Sequence, residues 1–119
     1  MSLIESFNQY RTKMNERILA ADHKVIKRFF SLDNQTYQVG ALSEKTKEML
    51  GLVASMVLRC DDCIKYHLGQ CHQLGVETAE IMEVFSIANI DRWLYLHPTY
   101  PASPGILGRI NSNIGITFS

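Results

Sequence analysis

The stretch SEKTKEMLGLVASMVLRCDDCIKYHLGQCHQLG, residues 43–75, decides the fold because it contains two helices in succession. Ser43 is a typical helix N-cap, and Glu44 follows it in the first turn. Apolar residues at three- and four-residue steps then predict a helix up to residue 59: Leu50, Val53, Ala54, Val57 and Leu58. Asp61 and Asp62 are typical of a new helix start, and Gly75 of the residue just beyond a helix end.

Helical periodicity continues on both sides of this stretch. Residues 3–19 carry apolar side chains at helical spacing and predict an amphipathic helix, and residues 25–32 predict a shorter one. Residues 77–88 predict a further helix with Ile81, Val84, Phe85 and Ala88 on one face. Because glycine and proline are scarce before residue 97, the sequence favours helices over many short strands. We therefore predict an all-α fold of about five to six helices.

Length and composition limit the possible classes of protein. The chain has 119 residues, which fit a single domain, 1–119, with one hydrophobic core. Its 12 basic residues balance its 12 acidic ones, and this balance argues against a nucleic-acid or anionic-membrane partner. The N-terminal residues contain no uninterrupted apolar segment of signal-peptide length, and no stretch approaches the roughly 20 apolar residues of a membrane span. We therefore expect a cytoplasmic protein.

The cysteines indicate redox chemistry. Three cysteines occur, at positions 60, 63 and 71, and such a cluster in a reducing compartment points to redox or metal chemistry. Cys60 and Cys63 are three residues apart at a helix start, so they can close a small disulfide ring. The helix N-terminus favours a thiolate there and lowers the thiol pKa. His67 follows Cys63 by four residues on the same helix face and can take the thiol proton.

An acid that hydrogen-bonds the imidazole of His67 would fix its tautomer. Three residues could fill this role from the sequence alone, namely Glu44, Glu48 and Asp62.

Two alternatives compete with the redox interpretation. The first is a zinc site made of Cys60, Cys63, His67 and Cys71 or His72, which are the right ligand types. Ligands along one helix are poorly placed for a closed tetrahedron, so we predict no metal and no other cofactor. The second is a pair of buried, inert cysteines, against which the two aspartates between them argue. We expect Cys71 itself to pack as a small core residue.

The spacing of these residues resembles a known family. Glu48 followed by Cys60-x-x-Cys63-x-x-x-His67 is similar to the carboxymuconolactone decarboxylase superfamily in its alkylhydroperoxidase D-like (AhpD-like) branch. The segment Leu42-Ser-Glu-Lys-Thr-Lys-Glu48, which leads into the helix that carries Glu48, also resembles this family. The likeness covers roughly residues 20 to 90. The resemblance implies an all-α AhpD-like fold that assembles as a homotrimer or hexamer.

The resemblance also implies an activity, a thiol-dependent peroxidase or disulfide reductase. Cys63 would be the attacking thiolate and Cys60 its resolving partner, while His67 and Glu48 would relay the proton. The substrate would be a small peroxide or disulfide, and a dithiol would be the reductant. Peroxidase members carry a second histidine where this chain has Asp62. Asp62 could accept a proton in its place, but a carboxylate beside a thiolate raises the thiol pKa.

The C-terminal part, residues 90–119, is atypical of the family. It contains all 3 prolines, and from about Asn89 onward no helical or strand period is evident. Related chains end in a segment like GGS-x-x-IPHLRRA. In a neighbouring reading frame the codons from Asp91 to Ser103 permit IGGSICIPHIRR, of which only the second glycine is forced, by Trp93 before Leu94. We therefore hypothesise a frameshift near residue 89, with a genuine divergent C-terminus, such as an oligomer arm, as the alternative.

Overall fold

The computed structural model describes residues 2–96 of the chain, and their side chains as far as residue 93. This part consists of five α-helices without a strand: α1 (Leu3–Ala20), α2 (Lys24–Thr36), α3 (Glu44–Val57), α4 (Asp61–Gln73) and α5 (Thr78–Leu96). The predicted all-α fold is therefore confirmed.

The helices begin and end where local chemistry favours it. Ser43 caps α3 as predicted, since its hydroxyl accepts the backbone N–H of Thr46 at 3.1 Å. Cys60 is the corresponding N-cap residue of α4. Gly75, with φ of +78°, follows α4 in the left-handed conformation that glycine adopts without strain. Only residues 58–60 separate α3 from α4, so these two helices form a tight pair.

Helix α3 lies at the centre of the packing. It contacts both α4 and α5, and α4 in turn contacts α1. The buried core contains Leu52 of α3, Cys71 of α4, Val84 of α5 and Val76, which lies between α4 and α5. Leu52 is fully buried, and burying a leucine side chain stabilises the fold by about 1.5–3 kcal/mol. Cys71 is also fully buried, so its predicted place in the core is confirmed.

Helix α5 continues further than the sequence indicated. The predicted helical pattern ended at Ala88, whereas the helix runs to Leu96. No glycine or proline interrupts residues 89–96, and the next helix breaker is Pro98, so nothing in this segment stops propagation. Residues 97–119 lie outside the described residues, and so does most of the segment to which the frameshift hypothesis applies.

Helix α2 buries none of its residues. Val25, Phe29 and Leu32 follow one another at helical spacing and leave 49%, 65% and 58% of their surface exposed. The described part of the chain thus has an apolar stripe on α2 that its own helices do not cover. Among the described helices, none is long and apolar enough to cross a membrane.

Candidate active site

A buried acid–imidazole pair connects α3 to α4. His67 Nδ1 and Glu48 Oε2 are 2.7 Å apart, and the two residues keep only 9% and 4% of their surface exposed. Of the three acids that the sequence left open, Glu48 is therefore the one that contacts the imidazole. Glu44 is exposed one turn earlier on α3, and Asp62 is exposed in the first turn of α4.

The close approach of the two helices depends on Gly51. A β-carbon at position 51 would lie 2.7 Å from Cε1 and 2.8 Å from Nδ1 of His67, distances that real β-carbons do not show. It would also lie 2.6 Å from the hydroxyl oxygen of Tyr37. The absence of a side chain at Gly51 thus leaves the room in which the imidazole meets Glu48.

Two tyrosines enclose the imidazole. The rings of Tyr37 and Tyr66 each have their centroid 5.2 Å from that of His67. Burial raises the pKa of Tyr37, and the charges of Glu48 and Asp33 raise it further. Burial also raises the pKa of Tyr66, although Arg11 acts in the opposite direction. Both phenols therefore keep their hydrogens at neutral pH.

The cysteine pair lies at the start of α4. Cys60 and Cys63 are joined by a disulfide, with their Cα atoms 5.2 Å apart. Cys60 is the N-cap, and its sulfur accepts the backbone N–H of Cys63 at 3.3 Å. A backbone donor and the positive end of the helix dipole thus act on this pair, although Asp61 and Asp62 add negative charge to the same turn.

A cavity of about 330 Å³ opens beside these groups. It is lined by residues of α1, α2 and α4: Phe7, Tyr10, Arg11, Met14, Asn15, Asp33, Asp62, Cys63, Tyr66 and His67. Three of the predicted site residues, Cys63, His67 and Asp62, therefore share one cavity, and Cys60 does not line it. A smaller cavity of about 180 Å³ is lined by Glu48 and Tyr37, and it shares Asp33 and Tyr66 with the first cavity.

The third cysteine belongs to a different environment. Cys71 is enclosed by the core, and burial raises its thiol pKa to about 11, with a further contribution from Glu48. Within residues 2–93, no three His, Cys, Asp or Glu side chains come together in a way that could hold a metal ion. His72, the alternative zinc ligand, is exposed on α4.

Gly51, Tyr37 and the contribution of α1 were not identified from the sequence. An isolated glycine within a helical pattern often has a packing or functional role, so Gly51 could have been singled out from the sequence on this ground. Tyr37 lies in the connection after α2, where no periodicity links it to the cysteine pair.

Comparison with known proteins shows the family of the chain. The model of the carboxymuconolactone decarboxylase family matches residues 24–93. Comparison with curated proteins found no match. Two crystal structures of one protein from Thermotoga maritima are similar to this chain. One has a TM-score of 0.71 and 39% identity, and covers 93% of this chain and 89% of that chain.

The second crystal structure has a TM-score of 0.58 and 41% identity, and covers 78% of this chain and 86% of that chain. It is described as a carboxymuconolactone decarboxylase family protein with a candidate role in the antioxidative response. The family model spans more than half of the sequence, and the relative is more than 30% identical over most of it. The chain therefore belongs to the carboxymuconolactone decarboxylase family.

Proposed function

We propose that this protein is a thiol-dependent oxidoreductase that reduces a peroxide, or a small disulfide, with Cys60 and Cys63. The observation that carries the proposal is the buried Glu48–His67 hydrogen bond beside a cavity that Cys63 lines. A structural histidine needs no neighbouring reactive sulfur and no open cavity. The antioxidative role considered for the Thermotoga maritima relative supports the same class of chemistry.

Cys63 is the proposed nucleophile because it, and not Cys60, lines the cavity. His67 takes the proton from the Cys63 thiol, and the thiolate attacks the terminal oxygen of the hydroperoxide. The O–O bond breaks, Cys63 becomes a sulfenic acid, and the leaving alkoxide takes the proton from His67 to form an alcohol. The Cys60 thiol then attacks the sulfenic sulfur, which releases water and forms the Cys60–Cys63 disulfide.

Glu48 acts through His67. Its carboxylate accepts a hydrogen bond from Nδ1–H, which leaves Nε2 as the nitrogen that can take a proton. Asp62 lines the same cavity, and in the proposal its negative charge acts on the Cys63 thiolate and disfavours it. No cofactor takes part. A dithiol restores the enzyme by thiol–disulfide exchange, and this step fits a reducing compartment such as the cytoplasm.

We also propose that the protein is a homo-oligomer, a trimer or a hexamer. The support is the exposed apolar stripe on α2, formed by Val25, Phe29 and Leu32. Contiguous apolar surface of this kind is characteristic of interaction sites.

The test is hydrogen-peroxide-dependent consumption of dithiothreitol by the purified protein. Wild type should consume the dithiol. Cys63→Ser should lose this activity, because serine has no thiol and so cannot supply the attacking thiolate. Cys71→Ala is the matched control, since Cys71 lies in the core, and its activity should stay within about twofold. Equal rates for wild type and Cys63→Ser would contradict the proposal.

A further inference from the structure

Helix α1 forms one wall of the cavity that holds Cys63. Half of the residues that line the cavity belong to α1: Phe7, Tyr10, Arg11, Met14 and Asn15. The opposite wall belongs to α4 and contains Cys63 and His67. The family model matches residues 24–93 and so begins after α1 has ended. The reactive groups and the wall that faces them therefore come from different parts of the chain.

We propose that α1 is the substrate-specificity element of this enzyme, and that its apolar side chains hold the uncharged organic body of a hydroperoxide. This inference rests on the proposed function. Phe7 and Met14 are half-buried in the α1 wall, and Tyr10 lies between them in sequence. A volume of about 330 Å³ lies at the small end of the range for organic-ligand sites, roughly 300–1,000 Å³, and far exceeds the needs of hydrogen peroxide.

The charges around the cavity favour an uncharged substrate. Two carboxylates, Asp33 and Asp62, line it together with one cation, Arg11. The guanidinium of Arg11 lies 4.0 Å from the centre of the Tyr66 ring and is held in a cation–π contact. The lining thus carries a net negative formal charge, which disfavours a substrate with a carboxylate of its own. The substrate class is an aryl or branched alkyl hydroperoxide without charge.

The α1 wall is fixed directly to the helix that carries the nucleophile. Besides the Arg11–Tyr66 contact, the ammonium of Lys65 lies 5.8 Å from the centre of the Phe7 ring. A β-carbon at Gly69 would come within 3.3 Å of Cγ2 of Ile4, so α1 lies close to the α4 backbone. These contacts hold the wall at a set distance from Cys63, and side-chain size on α1 then determines which substrates fit.

The inference is tested by measuring kcat/KM for cumene hydroperoxide and for hydrogen peroxide in the same variants. The combined Phe7→Ala and Met14→Ala substitutions should lower kcat/KM for cumene hydroperoxide by about tenfold or more. For hydrogen peroxide, which has no organic body, kcat/KM should change by less than about twofold. Lys13→Ala is the matched control, because Lys13 lies on the other side of α1 in a separate groove, and neither value should change.

A second arm tests the charge argument. Wild type should reduce cumene hydroperoxide faster than an analogue that carries a ring carboxylate, and Asp33→Asn should narrow this difference. Phe7→Leu keeps an apolar side chain and should retain more cumene hydroperoxide activity than Phe7→Ala.

Equal losses for both peroxides, or no loss for cumene hydroperoxide, would overturn the role of α1 while the proposed function stands. A wild-type protein that reduces neither peroxide would remove the proposed peroxidase activity, and this inference with it.

Discussion

The imidazole of His67 packs so closely against Gly51 that a β-carbon there would lie within 2.8 Å of the ring atoms Cε1 and Nδ1. Nδ1 is also the atom that meets Glu48, at 2.7 Å. The contact between α3 and α4 and the proposed proton relay therefore depend on the same missing side chain. A helix-interior glycine costs stability relative to alanine, and at this position it makes room for the imidazole.

We expect Gly51→Ala to move His67 away from Glu48 and to lower peroxidase activity at least tenfold. Crowding of this kind costs about 1–3 kcal/mol, against about 1 kcal/mol gained from the higher helix propensity of alanine. Urea unfolding should therefore show little gain or a loss in stability. Gly40→Ala is the control, because its β-carbon would meet only Lys47 Nζ at 3.7 Å. Unchanged activity in Gly51→Ala would show that the contact has no functional role.

We expect Glu48→Gln to lower kcat by on the order of tenfold or more, because the amide keeps the shape of the side chain but no longer selects the Nδ1–H tautomer. The pH–rate profile of the variant should also change, which a merely structural residue would not cause. Glu44→Gln is the matched control on the same helix, where the side chain is exposed, and its profile should match wild type. Identical profiles for all three proteins would remove Glu48 from the relay.

Asp62 offers a test of how charge tunes the nucleophile. It lines the cavity with Cys63 and carries negative charge into the first turn of α4. Asp62→Asn should lower the pKa of Cys63, because the neighbouring negative charge that disfavours the thiolate is removed. The rate of Cys63 alkylation at pH 7 should rise several-fold. Asp61→Asn is the control, because Asp61 precedes Asp62 in sequence but does not line the cavity, and it should change the rate less. A slower reaction in Asp62→Asn would indicate that Asp62 serves as a base.

The exposed stripe on α2 provides a test of assembly. Phe29 leaves 65% of its surface exposed in the middle of this stripe. Phe29→Asp should weaken the assembly, because a charge buried in an apolar interface is unfavourable. The molar mass of the assembly, measured by light scattering, should therefore fall. Ser31→Asp places the same charge on another face of α2 and should leave the mass of the assembly unchanged. A monomeric wild type would contradict the proposed oligomer.

The sequence predicted what depends on local geometry. Cys63 and His67 are four residues apart on one helix, so the fold of α4 alone brings them to one face. The N-cap role of Ser43 and the position of Gly75 likewise follow from nearby residues. Periodicity underestimated the lengths of two helices. The predicted second helix ended at residue 32, whereas α2 runs to Thr36. The apolar pattern of α5 weakens after Ala88 although no breaker occurs, and α5 runs to Leu96.

The remaining features depend on how helices meet, which a single sequence leaves open. Glu44 and Glu48 lie one turn apart on α3, and only the rotation of α3 against α4 brings the second of them to His67. The role of Gly51 and the α1 wall around Cys63 also arise from packing between helices. Local patterns contain no information on which helix faces which, so these features required the three-dimensional structure.

Alkylation of the reduced protein by iodoacetamide at graded pH, read for each cysteine by mass spectrometry, tests most directly whether Cys63 is held as a reactive thiolate. Cys63 should titrate below the ordinary cysteine pKa of about 8.5, and its pKa should rise in His67→Ala. Cys71 is the internal reference: its pKa is raised to about 11, so its thiol stays protonated and unreactive from pH 6 to about pH 9. A Cys63 that titrates near 8.5 both in wild type and in His67→Ala would contradict the account.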